Sequence, residues 1–217
     1  MWWLVISVIL MMAGNGTRMK TSENKVYLPL KNKLIYQYSL DLFLANDFEV
    51  ICVIRKEDEK YLTKYLPKIK IDYGGQTRQM SVYNGLKKAK GEFVLIHDAA
   101  RPFITQGCID ECVSALNAGS CVLVGCDSKD SIYSKNPLKA LDRKALFNAQ
   151  TPQGGNTKTL LLCHEQAIKD GYISTDDISL VLKYSDEMIK LVDGTDTNFK
   201  ITTQLDYITA KELIKND

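Results

Sequence analysis

The feature that most constrains this chain is a repeated alternation. Short apolar runs rich in β-branched residues are each followed by a stretch with helical spacing. Strands read at Leu4 to Leu10, Val50 to Ile54, Ile69 to Asp72, Phe93 to His97 and Cys121 to Cys126. Between them, apolar residues recur at three- and four-residue intervals over about 33–45, 57–65, 79–89 and 105–117, as Leu34, Tyr38, Leu42 and Ala45 illustrate. Strand followed by helix, several times over, is the pattern of an α/β fold with a mostly parallel sheet. The 217 residues suffice for one sizeable core, so residues 1–217 are read as a single domain.

After Cys126 the pattern breaks. Asp127 to Pro137 is polar and turn-rich, and Leu138 to Thr151 does not read as another strand–helix unit. The stretch at about 128–150 is therefore expected to leave the sheet as a hairpin arm. The chain returns through helices at about 157–169 and 176–184, a strand from Met188 to Val192 and a last helix at about 203–215. The apolar start, Met1 to Met12, lacks a basic leading segment and is too short to span a bilayer. A buried first strand is expected there, with no membrane association.

Charge narrows the partners. Twenty-eight Lys and Arg against 26 Asp and Glu leave +2, so nothing demands nucleic acid or an anionic surface, and any anion site must be local. Six cysteines, at 52, 108, 112, 121, 126 and 163, lie mostly in apolar runs and are read as free core thiols. No Cys-x-x-Cys pair occurs and the only histidines are His97 and His164, which disfavours a structural zinc site.

Three segments at predicted strand ends could carry chemistry. The first is Ala13-Gly14-Asn15-Gly16-Thr17-Arg18-Met19, with Lys25 just beyond: glycines let backbone N–H groups approach a phosphate, and Arg18 and Lys25 add positive charge. A tight turn alone would explain the glycines equally well. Met19 stands where a dinucleotide fingerprint needs a small residue, and the Gly-Lys-Ser/Thr ending of a P-loop is absent. The second is Tyr73-Gly74-Gly75-Gln76-Thr77-Arg78-Gln79-Met80-Ser81, which suits a nucleobase edge or an anion but also an ordinary strand-to-helix turn capped by Thr77. The third is His97-Asp98-Ala99-Ala100-Arg101-Pro102, where Asp98 suits a metal-bound phosphate or substrate hydroxyls and Arg101 can clamp a phosphate or pair with Asp98.

Together with Gly74-Gly75-x-x-Arg78-x-x-Ser81-Val82, Thr151-Pro152-Gln153, Thr175-Asp176 and Lys200-Ile201-Thr202, these segments resemble in order the 2-C-methyl-D-erythritol 4-phosphate cytidylyltransferases of isoprenoid biosynthesis, from about residue 4 to 212. The resemblance implies a Rossmann-like nucleotidyltransferase (GT-A-like) fold, a β-arm that joins two subunits into a homodimer, cytoplasmic location, and a reaction of CTP with a polyol phosphate assisted by Mg²⁺, held mainly by the CTP phosphates. Carried over by position, Arg18, Lys25 and Lys200 are the cations around the triphosphate. Ala13, Gly14, Gly16, Gly75, Gln76 and Ser81 face cytidine, with Arg78 beside them. Asp98, Arg101, Ser131, Arg143, Thr151 and Thr175 hold the polyol phosphate, part of that set coming from the partner's arm.

The departures are specific. Asn24 stands where the family usually has Pro before the catalytic Lys, Val26 replaces a usual Gln, Asn15 and Thr17 vary the glycine loop, Gln76 replaces a common acid, and Ser131 a usual Thr. None removes a needed charge, so activity is expected, while the missing Pro is expected to loosen the loop that holds Lys25. The sister ribitol 5-phosphate cytidylyltransferases share most of these motifs, but Ser81-Val82-Tyr83-Asn84-Gly85-Leu86 and His97 to Arg101 lean toward methylerythritol phosphate. Two other classes stay in view. A non-catalytic nucleotide-binding module would have no use for cations placed for a transition state, and an NAD-linked dehydrogenase is disfavoured by Met19.

Overall fold

The computed structural model describes residues 5–14 and 24–215. In chain order the elements are β1 (Ile6–Met11), β2 (Pro29–Leu30), β3 (Lys33–Leu34), α1 (Ile35–Ala45), β4 (Glu49–Ile54), β5 (Ile69–Tyr73), α2 (Arg78–Lys88), β6 (Phe93–Asp98), α3 (Gln106–Asn117), β7 (Cys121–Asp127), β8 (Tyr133–Lys135), β9 (Leu138–Ala140), β10 (Phe147–Asn156), α4 (Thr157–Lys169), α5 (Ile178–Tyr184), β11 (Ile189–Asp193) and α6 (Gln204–Leu213). Seven strands form one sheet in the order β11-β7-β10-β6-β1-β4-β5. All neighbours run parallel except β10, which is antiparallel to both β6 and β7. The expected α/β class with a mostly parallel sheet is what forms.

Period-two alternation decides which residues face which layer. Ile6, Val8 and Leu10 pack with Tyr36, Leu40 and Phe43 of α1 and with Ile109, Cys112 and Leu116 of α3. Ile9 points the other way, into a cluster with Ile51, Val53, Val94 and Ile96 that α2, α4 and α5 cover through Val82, Leu86, Leu160 and Val181. Helices on both faces explain why the central strands read as unbroken apolar runs. Thr77, Thr105, Asn156 and Thr203 cap α2, α3, α4 and α6, each side chain accepting a backbone N–H of the first turn. All six cysteines are free and all but Cys126 are buried. Among the described residues no helix is long and apolar enough to cross a membrane.

Two expectations change. The helix read at 57–65 is instead a pair of 3₁₀ segments, Lys56–Tyr61 and Thr63–Tyr65. Arg55 and the buried Asp58 close the first turn tightly with an ion pair at 2.8 Å, and Pro67 prevents the stretch from lengthening into an α-helix. The arm is shorter than 128–150, because the chain re-enters the main sheet as β10 from Phe147. Only β8 and β9 form the projecting antiparallel hairpin. β10 carries an irregularity in register between Ala149 and Gln153, so Pro152 falls where ladder pairing is already interrupted.

The strand order also creates the crevice. From β1 the chain proceeds outward to β4 and β5, then returns to place β6 on the other side of β1. Ligands of open α/β sheets bind where the order reverses, beyond the carboxyl ends of the strands. Here that point lies between the ends of β1 and β6, whose register pairs Met11 with Asp98.

Candidate functional site

A cleft of about 350 Å³ opens at this point. Its described lining includes Ala13 and Gly14 after β1, Asn24, Lys25 and Val26, then Gly75, Gln76, Arg78 and Ser81 around the start of α2, Asp98 at the end of β6, and Lys200. Residues far apart in sequence thus meet as the motifs require. Gly16 and Arg18 lie outside the described residues. The Thr77 cap is present, its hydroxyl accepting from Met80 N–H at 3.1 Å, and the capped turn lines the cleft.

The two glycine-bearing segments meet at Ala13 and Gly74. A Cβ on Gly74 would overlap that of Ala13 and sit 3.1 Å from Ser81 Oγ. Ser81 Oγ accepts Gly75 N–H at 2.9 Å and donates to Thr77 carbonyl at 2.9 Å, which fixes the turn.

Lys25 sits on a short 3₁₀ turn, Lys25–Tyr27, preceded by Asn24. Asn24 is buried; its amide donates to Met12 carbonyl at 2.5 Å and its oxygen accepts Val26 N–H at 3.3 Å. Tyr27 is buried below and stacks on Tyr61 at 4.1 Å. A side chain, rather than a ring, ties the start of the turn to the end of β1, while the rest of the loop expected to loosen lies outside the described residues. Spacing alone gave no sign of this role, since Asn is also common in exposed turns.

Asp98 is the electrostatic centre. Lys200 Nζ lies 2.8 Å from its Oδ2 and Arg78 Nε 3.7 Å from its Oδ1. Burial opposes ionisation, but Arg78 and Lys200 outweigh it and hold the carboxyl below the ordinary range. Arg78 reaches further back, its Nη2 2.7 Å from Oδ2 of Asp177, an acid 1% exposed. Burial of Asp177 is likewise outweighed by Arg78, so it too stays ionised. Arg78 is thus a bridge between two carboxylates, and Asp177 is a site-supporting residue that sequence reasoning missed. Gln153 Oε1 accepts Asp177 N–H at 3.0 Å, and the ring of His164 lies 3.5 Å from Asp177.

Arg101 is not the ion-pair partner of Asp98. Its Nη1 donates to Asn198 carbonyl at 2.7 Å, while its own N–H donates to Asp98 carbonyl at 2.9 Å. Ile201 N–H donates to Ala100 carbonyl at 2.9 Å, which sets Lys200 beside the same turn. Thr151 is buried on β10 and accepts Asp98 N–H at 3.1 Å. Ser131 and Arg143 lie exposed on the arm and do not line the cleft; Arg143 Nη1 donates to Lys129 carbonyl at 2.9 Å. Thr175 is exposed, two residues before Asp177. Among the described residues no group of three His, Cys, Asp or Glu converges as a metal cage would.

The family model IspD, 2-C-methyl-D-erythritol 4-phosphate cytidylyltransferase, matches residues 6–216. The chain is 39% identical to the 2-C-methyl-D-erythritol 4-phosphate cytidylyltransferase of Clostridium botulinum (strain Langeland), covering 96% of this chain and 97% of that one. It is 36% identical to the enzyme of the same name from Clostridioides difficile, with coverage of 96% and 93%. The crystal structure of 4-diphosphocytidyl-2C-methyl-D-erythritol synthase from Anaerococcus prevotii superposes with a TM-score of 0.85 at 30% identity, covering 97% of this chain and 98% of that one.

Proposed function

This chain belongs to the 2-C-methyl-D-erythritol 4-phosphate cytidylyltransferase family, and on that premise we propose how its residues carry the reaction. It is a nucleotidyltransferase of the non-mevalonate isoprenoid pathway, joining the cytidine monophosphate part of CTP to the phosphate of 2-C-methyl-D-erythritol 4-phosphate. A phosphate oxygen of the polyol attacks the α-phosphorus of CTP. That P–O bond forms as the bond to the β-phosphate breaks, and pyrophosphate leaves with the electron pair. The attacking phosphate is already ionised, so the residues need only position the groups and stabilise developing charge. The observation that carries this assignment is the convergence of Lys25, Lys200, Arg78 and Asp98 with both glycine turns on one cleft.

In this reading Lys25 and Lys200, with Arg18, face the triphosphate. Ala13, Gly14, Gly16, Gly75, Gln76 and Ser81 surround cytidine, where a narrow pocket rejects purines by size and uracil by hydrogen-bond mismatch. Arg78 braces the pocket through its two carboxylates. Asp98, Arg101, Thr151 and Thr175 hold the acceptor, and Ser131 and Arg143 reach it from the arm of a second subunit in a homodimer. The exposed apolar residues of the arm, Leu138 and Tyr133, support that arrangement. The donor set suits a Mg²⁺ ion carried by the CTP phosphates rather than a protein cage, because Asp98 is already engaged by two cations. When bound, that ion neutralises phosphate charge. Free thiols suit the reducing cytoplasm, and the whole chain is taken as one nucleotidyltransferase domain.

The test is pyrophosphate release with CTP and Mg²⁺ in parallel tubes of 2-C-methyl-D-erythritol 4-phosphate and D-ribitol 5-phosphate. Turnover with the first is expected. Turnover with ribitol phosphate alone would overturn the acceptor, and silence with both would overturn the enzyme. The family match and the names of the relatives favour methylerythritol phosphate over ribitol phosphate.

A further inference from the structure

His97 is the penultimate residue of β6 and fully buried beneath the turn Asp98 to Arg101. Its Nε2 lies 3.1 Å from Arg101 carbonyl and its Nδ1 3.0 Å from Thr151 Oγ1. A carbonyl has no proton to give, so Nε2 must carry one. Burial lowers the ring's pKa to about 4, so at neutral pH it has only that proton and Nδ1 is a bare acceptor. Thr151 must then donate its hydroxyl proton to Nδ1. The same Thr151 oxygen accepts Asp98 N–H at 3.1 Å. The bonds run in one direction, from Asp98 N–H to Thr151, from Thr151 O–H to His97, and from His97 Nε2–H to Arg101 carbonyl.

We propose that His97 and Thr151 form a positioning pair that clamps the turn bearing Asp98 and Arg101, so that Thr151 serves the acceptor through that turn and its hydroxyl has no proton left to donate to substrate. This rests on the reading above in which Asp98 and Arg101 hold the polyol phosphate. The clamp grips the first and last residues of the turn, so loosening it moves both of those side chains at once. The nucleotide-facing turns at 13–14 and 75–81 take no part in it. The effect therefore falls on acceptor binding and spares CTP.

The substitutions that test it are Thr151→Val, which keeps the shape and removes the hydroxyl, Thr151→Ser, which keeps the hydroxyl, and His97→Gln. Thr151→Val is expected to raise the KM for 2-C-methyl-D-erythritol 4-phosphate about tenfold, leaving the KM for CTP within about twofold. Thr151→Ser should restore near-normal values, and His97→Gln combined with Thr151→Val should be little worse than the poorer single variant. Multiplying effects would mean that Thr151 donates directly to the substrate, and an equal loss for CTP would mean general damage; either overturns the clamp. If His97→Gln does not fold, the state of the His97 ring decides between the clamp and direct donation. A long-range ¹H–¹⁵N spectrum of the unliganded wild-type protein gives an arm independent of substrate: the Nε2–H tautomer is expected, and an Nδ1–H or doubly protonated ring at neutral pH overturns the proposal. Wild-type protein that ignores the methylerythritol acceptor yet shows the Nε2–H tautomer would sink the acceptor assignment while leaving the hydrogen-bond chain intact.

Discussion

The turn at the end of β6 and the arm between β7 and β10 are both proposed to serve the acceptor, yet they are built in opposite ways. Asp98 is buried, its carboxylate held by Lys200 and Arg78, and the turn is bonded to β1, β10 and the Lys200 segment. The arm is a short two-stranded hairpin on which Leu138 is 79% exposed and Tyr133 56%. An isolated two-stranded hairpin is marginal in water. Within one chain Asp98, Arg78 and Lys200 are thus already joined, whereas the hairpin leaves its large apolar side chains exposed, as the proposed contact with a second subunit requires.

The sharpest way to probe that division is to remove a cation from the cleft half. Lys25→Ala and Lys200→Ala are each expected to lower kcat by about 10²–10³ with a much smaller change in KM for CTP, read from steady-state kinetics. Near-normal turnover in either would exclude that lysine from charge stabilisation. Arg143→Ala attacks the other half and, in its proposed role, should raise the KM for the polyol phosphate by roughly 10- to 100-fold, the effect of losing a charged hydrogen bond to a phosphate. If the arm serves the neighbouring subunit, mixing Arg143→Ala with Lys25→Ala chains regenerates one intact site per mixed dimer. Activity that stays at the level of the separate variants, in dimers shown to be mixed, would return Arg143 to its own chain's site.

Acid should separate the two halves as well. The pKa of Asp98 is lowered in the folded protein, so its ion pairs contribute fully above the unfolded carboxylate value of about 4 and are lost as pH falls through the lower folded value. A thermal melting series from pH 7 to pH 3 should therefore show a steeper acid-side loss for the wild type than for Asp98→Asn. The substitution itself should cost roughly 2 kcal/mol at neutral pH. Equal slopes would mean that Asp98 gains nothing from its cations. The smallest effect belongs to Asn24. Asn24→Ala should cut kcat about threefold by releasing the start of the Lys25 turn, a change of under 1 kcal/mol, while Asn24→Pro, which suits the observed φ of −65°, should recover most of it. An alanine variant with unchanged kcat would show that Val26 and Tyr27 hold the turn unaided.

Much of this fold was legible because burial on both faces writes itself into sequence as unbroken apolar runs, and β1, β4, β6 and β7 were found that way. β10 was hidden because Gln150-Thr151-Pro152-Gln153-Gly154-Gly155 carries every mark of a turn. In the structure Gly154 lies against the backbone of Val94 and Pro152 falls at the irregularity, so the same residues serve a crowded strand instead. The site was legible to a similar degree. Glycines and cations after strands marked the loops that meet at the cleft, and order along the chain matched a family. Asn24, His97 and Asp177 escaped because the work of a buried polar group depends on its partner. Nothing in the spacing joins position 97 to 151, or 177 to 78.

The contact between Ala13 and Gly74 has a consequence for how such a chain can diverge. These two positions make one constraint rather than two: any side chain gained at 74 must be matched by the loss of one at 13. A random library at position 74 alone should return almost only glycine, and other residues should emerge there only when position 13 is varied with it. That end of the cleft, where Ala13, Gly75 and Ser81 line the wall, can therefore be reshaped at position 74 only by a paired change.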